Sequence, residues 1–505
     1  MKSCKVLMPI GGLGAKINQE AFDNGMKLGP DVIAIDAGST DSGPGYLAQG
    51  MCKFSRAMLK HDLKIAVIGA KKGGIPLFVG SCGTCGTDNM VDECAGIVME
   101  IFKEEGFTGK IAKVYSQQKS EILKKKWDEG KIHPLECAPA ISRETFDECT
   151  NIVAVLGAEP FIEALNKGAD VVLCGRATDT AIIAALPVHW GCNVAAAWHG
   201  AKIVECGAQC TDNEEGTGVF LTVDEKGFLV TPLLPNTHCT PYTVAAHLLY
   251  ENADPFRLTE PSGTMVTNEA VYTQADEQSV YVTGSKFVPA SQYTMKLEGA
   301  GITGYQNISL VGIANPKVLA DPERWIRNIS VYVDAYIQKI GIPHEDYSFN
   351  FKAYGYNAVI DGPVPEGTPP PREIGMLLTV TAKTQELATQ IAKVFNPSHL
   401  NGVIHIIIGL LATPLSYLLN TDAMIYGIMP VVVNIGAQYN IPAVTIASMF
   451  ISARVMGTSL SITTPSVYLA LGLMGLSYKE AFKYGFKWSI LLGSILVLIS
   501  AIIVH

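Results

Sequence analysis

The chain has 505 residues and a formal net charge of -9, with 48% of residues hydrophobic and 17% charged. That length exceeds one ordinary core and points to two or three domains. From Asn401 on, the acidic and basic residues are Asp422, Arg454, Lys479, Glu480, Lys483 and Lys487, which sum to +2 and leave -11 upstream; so acidic a body argues against nucleic acid as a partner, which needs a basic face.

The twelve cysteines follow no short secreted framework, so reduced thiols are the simpler reading. The opening MKSCKVLMPIGG has no long apolar region and reads as a first strand, not a signal peptide. Its apolar run at 5–10 leads into Gly11, Gly12 and Gly14, then a helix from about Asn18. Apolar runs predict further strands at 31–36, 64–69 and 76–80. Strands alternating with helical stretches predict parallel βαβ units.

The loop GSCGTCGTD at 80–88 follows. Gly80, Gly83 and Gly86 let backbone approach a ligand, and with Thr84, Thr87 and Asp88 they open a helix that Asp88 would cap. Free N–H groups at such a helix start suit a small anionic metabolite carrying phosphate or carboxylate. A tight turn with satisfied caps has the same pattern. Cys82 and Cys85 form C-x-x-C, but no second Cys or His pair stands at zinc-ribbon spacing. Structural thiols fit better, and the sequence assigns no metal and no cofactor.

Next come a strand at 110–115, a basic helix at 120–131, a strand at 151–156 and a buried strand at 171–174. Gly175, Arg176, Thr178, Asp179 and Thr180 follow at the carboxyl end of that last strand, where open α/β sheets bind ligands. Arg176 is a candidate clamp for a carboxylate or phosphate, and Asp179 a candidate acid–base group or metal ligand. An Arg–Asp ion pair beside an N-cap fits the same spacing. His199, near a helix start, reads as structural. From about 216 to 304 short apolar runs alternate with turns, which predicts a more β-rich α+β subdomain dividing near 215. ERWIRNISVYVDAYIQKIG is an amphipathic helix; YSFNFKAYG, a proline-rich loop, IGMLLTVTA and a last helix to Val394 close the body.

After Asn396 the character changes. Residues 402–419 and 486–504 are each close to the ~20 residues of a bilayer crossing. Residues 422–433, 442–457 and 464–476 are shorter and broken by Pro, Gly, Ser and Thr, as in helices that line a protein cavity. Lys479, Lys483 and Lys487 would set their loop in the cytoplasm. The expectation is an α/β body over 1–395 in the cytoplasm and an all-α transmembrane segment over 396–505. The protein would then be multi-pass, with the lipid bilayer as a partner.

Two resemblances follow from the motifs. IDAGSTDSGPGYL, GSCGTCGTD, CGRATDTAIIAALP, AWHGAKIVECGAQ, LYENADPFRLTEPSG, TGSKFVPA and KLEGAGITGYQ run in order along the body, which resembles the acyclic terpene utilisation AtuA family. That resemblance implies a role in acyclic terpenoid or related acyl catabolism and carries over no catalytic residue. HIIIGLLATPLSYLLNTDAMIYGIMPVV and ITTPSVYLALGLMGLSYKEAFKYGFKW resemble the end of a CitMHS-type citrate–metal:proton symporter. It implies a substrate and cation site near Asn420, Thr421, Asp422, Thr463, Thr464 and Ser466, with the rest of the carrier as a missing partner. Three readings stand at this point: a catabolic protein binding an anionic metabolite, a carboxylate transport component, and a nonfunctional fusion.

Overall fold

The computed structural model describes residues 2–38, 42–136, 138–213, 218–252, 254–360, 365, 367–395, 404–419, 423–438, 443–458 and 465–503. They form two compact units, Met1–Thr303 and Gly304–His505.

The first unit is a mixed α/β layer structure. Its strands are β1 (Cys4–Met8), β2 (Val32–Gly38), β3 (Leu77–Thr84), β4 (Ile111–Val114), β5 (Asn151–Ala154), β6 (Val171–Cys174) and β7 (Val219–Val223). They continue with β8 (Gly227–Pro232), β9 (Arg257–Glu260), β10 (Gly263–Val266), β11 (Val271–Gln274), β12 (Val280–Thr283), β13 (Lys286–Pro289) and β14 (Leu297–Ala300). The main sheet has the order β11-β12-β8-β7-β1-β2-β3-β6-β4. Neighbours from β1 to β4 are parallel. From β7 outward they are antiparallel, beginning with the five-residue pairing of β1 and β7. The run from Val219 thus extends the first sheet.

Parallel strands are covered on both faces, so they read as continuous apolar runs. Helices Gln19–Lys27, Arg56–Gly73 and Asp88–Glu105 bury Phe22, Leu63 and Val98 on one face. Helices Glu159–Asn166, Ala181–His189 and Val194–Val204 bury Phe161, Ile182 and Trp198 on the other. The apolar run 64–69, expected as a strand, lies inside helix Arg56–Gly73. Ser55 caps that helix by accepting from the Met58 N–H, and Leu59, Leu63, Ala66, Val67 and Ala70 recur at helical spacing. Asp62 is buried in it and accepts N–H bonds from Gly14 (2.8 Å), Lys16 (3.1 Å) and Ile17 (2.9 Å), which fixes the loop after β1.

The second unit opens with β15 (Tyr305–Ile313), β16 (Tyr347–Tyr354) and β17 (Ile374–Ala382), in the antiparallel order β15-β17-β16. Alternate residues of β17 are buried, the pattern of a sheet covered on one face. Leu378 and Val380 pack there with Val333 and Ile337 of helix Pro322–Lys339 and Ile391 of helix Gln385–Phe395.

The tail corrects the sequence reading. Among the described residues no helix is long and apolar enough to cross a membrane. Helices Ile404–Leu418 and Ala443–Thr458 have 15 and 16 residues, short of the ~20 a crossing needs. Met429–Gln438 and Pro465–Met474 have 10 each. Tyr478–Ile503 has 26, but Lys479, Glu480, Lys483 and Lys487 occupy its first turns, and charge there shortens the apolar stretch. This overturns the all-α transmembrane segment and the multi-pass placement with 1–395 in the cytoplasm. The stretch 402–419, read as one crossing, holds a helix of 15 residues, and the apolar run from 486 is only the end of a helix whose start is charged. Of the residues implied by the carrier resemblance, Asn420, Thr421, Asp422, Thr463 and Thr464 lie outside the described residues. Ser466 is exposed in the first turn of its helix.

Candidate active site at the carboxyl edge of the main sheet

Parallel strands β2, β3 and β6 end on one side, and three loops meet there. β2 contributes Asp36, β3 the stretch 80–88, and β6 the stretch 175–180. The last two interlock through backbone. The Ser81 N–H donates to the Gly175 carbonyl at 2.9 Å. Buried Ser116 accepts from the Arg176 N–H at 2.7 Å and donates to the Gly86 carbonyl at 3.1 Å. A Cβ on Gly86 would stand 2.4 Å from the Arg176 nitrogen, and one on Gly175 would stand 2.4 Å from Ser116 Oγ. Ser81 and Thr84 take positive φ of 50° and 69°, a conformation that side chains rarely adopt and that clusters at functional sites.

Gly80, Gly83, Thr84, Gly86 and Thr87 are all buried. Several of the loop's N–H groups bond within the protein: Cys85 donates to Gly83, Gly86 to Cys82, and Asp88 to Gln117 Oε1. Thr87, not Asp88, is the N-cap, and the N–H groups of Met90 and Val91 both donate to its carbonyl. Gly86 therefore serves close packing on the Arg176 backbone, while Gly80 and Gly83 make room for the Ile182 and Met90 side chains. Cys82 and Cys85 are buried, and every cysteine among the described residues is a free thiol.

Arg176 is buried, with its Nε and Nη1 engaged. Its Nε donates to Glu298 at 3.0 Å, and its Nη1 to Ser81 Oγ at 2.8 Å, to the Ala177 carbonyl at 3.2 Å and to Asp179 at 3.1 Å. Burial works against its charge, but Asp179, Glu298 and Asp36 outweigh it and hold the guanidinium charged. Asp36 is buried; its Oδ2 accepts from the Gly38 N–H at 3.0 Å, while its Oδ1 has no partner. Burial, then the Asp179 carboxylate, pushes the Asp36 carboxyl well above the usual range.

Across Asp179 lies a second carboxyl. Glu260 ends β9, in the three-stranded sheet β13-β10-β9. Its Oε1 accepts from the Thr180 hydroxyl at 2.6 Å, and that hydroxyl lies 3.1 Å from Thr178 Oγ1. Its Oε2 is buried with no partner. Burial pushes this carboxyl up to about 7, with Asp179 adding to the rise and the two threonine hydroxyls and Lys202 opposing it. Beyond it, buried Lys202 and Glu205 form an ion pair. Both are on or next to helix Val194–Val204. Five carboxylates thus share the neighbourhood with two cations, Arg176 and Lys202, each already paired.

Gly175 and Arg176 lie against the 80–88 loop, whereas Asp179 pairs with Arg176, the Thr178 N–H donates to the Leu156 carbonyl and the Thr180 hydroxyl donates to Glu260. Sequence reading missed Asp36, Ser81, Glu260 and Glu298. A charge inside the apolar run DVIAID was a signal for Asp36; Glu260 and Glu298 join from far along the chain and left none. His199, read as structural, is buried between Phe228 and Tyr272, with Ser285 Oγ at 2.7 Å and Tyr272 Oη at 3.2 Å from its nitrogens. Burial pulls it down to about 3 and keeps it neutral. A surface groove of about 490 Å³ lies elsewhere, between helices Gln19–Lys27 and Arg56–Gly73. Gln19 and Asp23 there pair with each other, and His61 pairs with Asp62, so its chemistry is self-satisfied. Two unpartnered buried carboxyl oxygens, Asp36 Oδ1 and Glu260 Oε2, are at the sheet edge, and the site is placed there.

No solved structure matches the chain. Over 127 residues it is 28% identical to the Mg(2+)/citrate complex secondary transporter of Bacillus subtilis (strain 168). That stretch covers 25% of this chain and 29% of the transporter, so the chain spans less than a third of that relative's length. It is a hint of common ancestry for part of the chain. The acyclic terpene utilisation family protein AtuA matches over residues 54–413, most of the length, and the chain belongs to that family.

Proposed function

We propose that the chain is an enzyme of acyclic terpene utilisation that works by general acid–base chemistry, with Glu260 as the proton carrier. The observation that carries this is the state of the Glu260 carboxyl. One oxygen is fixed by Thr180, and the other is buried without a partner beside Asp179. A buried unpaired oxygen costs about 1–3 kcal/mol, which a substrate donor would recover. A carboxyl held near 7 exists in both protonation states at neutral pH, so it can take a proton and return it. The Oε2 of ionised Glu260 removes a proton from a substrate hydroxyl or from carbon beside a carbonyl. The same oxygen, now protonated, gives it back. Asp36 Oδ1 accepts a hydrogen bond, and Arg176 holds Asp179 and Glu298 in position.

The sheet-edge cluster is acidic, and its two buried side-chain cations are paired. The anionic group expected of such a metabolite therefore stays outside, and the part that enters carries a hydroxyl or carbonyl. The test is deuterium incorporation from heavy water into acyclic monoterpenoid aldehydes, acids and coenzyme A thioesters by the full chain. At least one should exchange, and Glu260→Gln should slow it about 100-fold or more. No exchange with any of them, or an unchanged rate in the variant, contradicts the reading.

A further inference from the structure

We propose that Glu205, Cys206 and His247 form a binding site for a divalent transition-metal ion, with Zn²⁺ as the best fit. One ligand atom from each lies within 4.8 Å of the others. The independent sign of a ligand is His247. Its ring is buried, at 5% exposure, and its Nε2 has no hydrogen-bond partner. An imidazole nitrogen left so in a protein interior is costly unless something binds it.

The chain builds this cluster from two directions. Helix Val194–Val204 runs into Glu205, and Gly207 at φ +62° then turns the chain back. Cys206 is pinned from behind: a Cβ on Gly11 would stand 2.6 Å from its carbonyl carbon, so the loop after β1 lies directly on its backbone. His247 follows helix Pro241–Ala246, whose start is set by a reciprocal capping box between Thr240 and Thr243. Lys202 holds one Glu205 oxygen, as outer partners orient metal ligands.

The donor set selects the ion. A thiolate with an imidazole excludes Mg²⁺ and Ca²⁺, which take oxygen ligands, and suits Zn²⁺. Bonds of ~2.0–2.3 Å need only a small closure of these side chains. The charge is accommodated too, because Asp179 and Glu260 act on Glu205 alongside the single cation Lys202. On binding, the Cys206 thiol loses its proton to solvent and the sulfur lone pair bonds the ion, so no oxidant or reductant is involved. Three protein ligands leave a position for water or a substrate oxygen.

The test reads binding, not turnover, so its failure and that of the Glu260 assignment are separable. The full chain is stripped with chelator, then titrated with Zn²⁺ against a chromophoric competitor and, separately, with Co²⁺. One equivalent per chain should bind, and the cobalt form should show a near-ultraviolet thiolate-to-cobalt charge-transfer band. Cys206→Ser should abolish that band. It and His247→Gln should each weaken Zn²⁺ at least ~100-fold, the top of the range for outer-shell changes alone. Cys82→Ser should change neither. Absence of a thiolate band in the wild type, or a band and an affinity that survive Cys206→Ser, overturns the site. The wild-type cobalt spectrum decides the matter if a variant fails to fold.

Discussion

Arg176→Met should destabilise the first unit by about 3 kcal/mol, the low end of the cost of breaking a buried ion pair, because Glu298 and Asp179 are only partly buried. The guanidinium faces Glu298 and Asp179 at 3.0 and 3.1 Å, and Asp36 is within its electrostatic reach. Methionine has similar bulk, so the cavity is small and the loss is electrostatic. It also frees Ser81, whose positive φ is held in part by the bond from Arg176 Nη1. Arg176→Lys should fall between, because an ammonium keeps the charge but cannot reach Glu298, Ser81 and Asp179 in one planar fork. Urea midpoints followed by circular dichroism read the loss. Pairing Arg176→Met with Glu298→Gln should cost less than the two single changes together, since the second removes a charge the first strands. A full sum would mean that the two groups do not interact.

Gly86→Ala should cost about 3 kcal/mol or more from two separate penalties. Its φ of +65° is unfavourable for any L side chain by about 1–2 kcal/mol. The new methyl would stand 2.4 Å from the Arg176 nitrogen, and overpacking against fixed backbone costs about 1–3 kcal/mol. Gly96→Ala is the control: it is helical, and a Cβ there meets nothing within 4 Å. That change should be neutral or stabilising. Equal midpoints for the two variants would mean that the loop is not packed as described.

These positions show how far the sequence could be read. The two motifs GSCGTCGTD and CGRATDT were legible; they meet because parallel neighbours β3 and β6 present their carboxyl ends on one side. Their glycines were legible as sites of close approach. At Gly86 and Gly175 the chain itself approaches, and spacing cannot distinguish such an approach from that of a ligand. Glu260 reaches Thr180 across 80 residues and Glu298 reaches Arg176 across 122, so no local pattern announces either. The same holds for His247 beside Glu205 and Cys206, since metal ligands scattered at such distances match no spacing rule. Run 64–69 was misread because six apolar-rich residues look alike in a strand and in the buried turn of a helix; the Ser55 cap nine residues upstream decides between them. In the tail, hydropathy read 402–419 as one crossing, whereas the helix there, Ile404–Leu418, has 15 residues, and the last helix, Tyr478–Ile503, is charged at its start.

The titration of Glu260 bears most directly on the account. Its folded value of about 7 lies above its ordinary value of 4.5. The carboxyl therefore stabilises the fold fully below about pH 4.5 and loses that contribution as pH rises through about 7. The measurement is the infrared difference between wild type and Glu260→Gln across pH, with chelator present, in the carbonyl region of a protonated carboxylic acid. The account predicts a protonated-acid band that is present at pH 6, half lost near pH 7 and missing from the variant. A carboxyl already ionised at its ordinary value, with no band difference between the two proteins at pH 6, would contradict it.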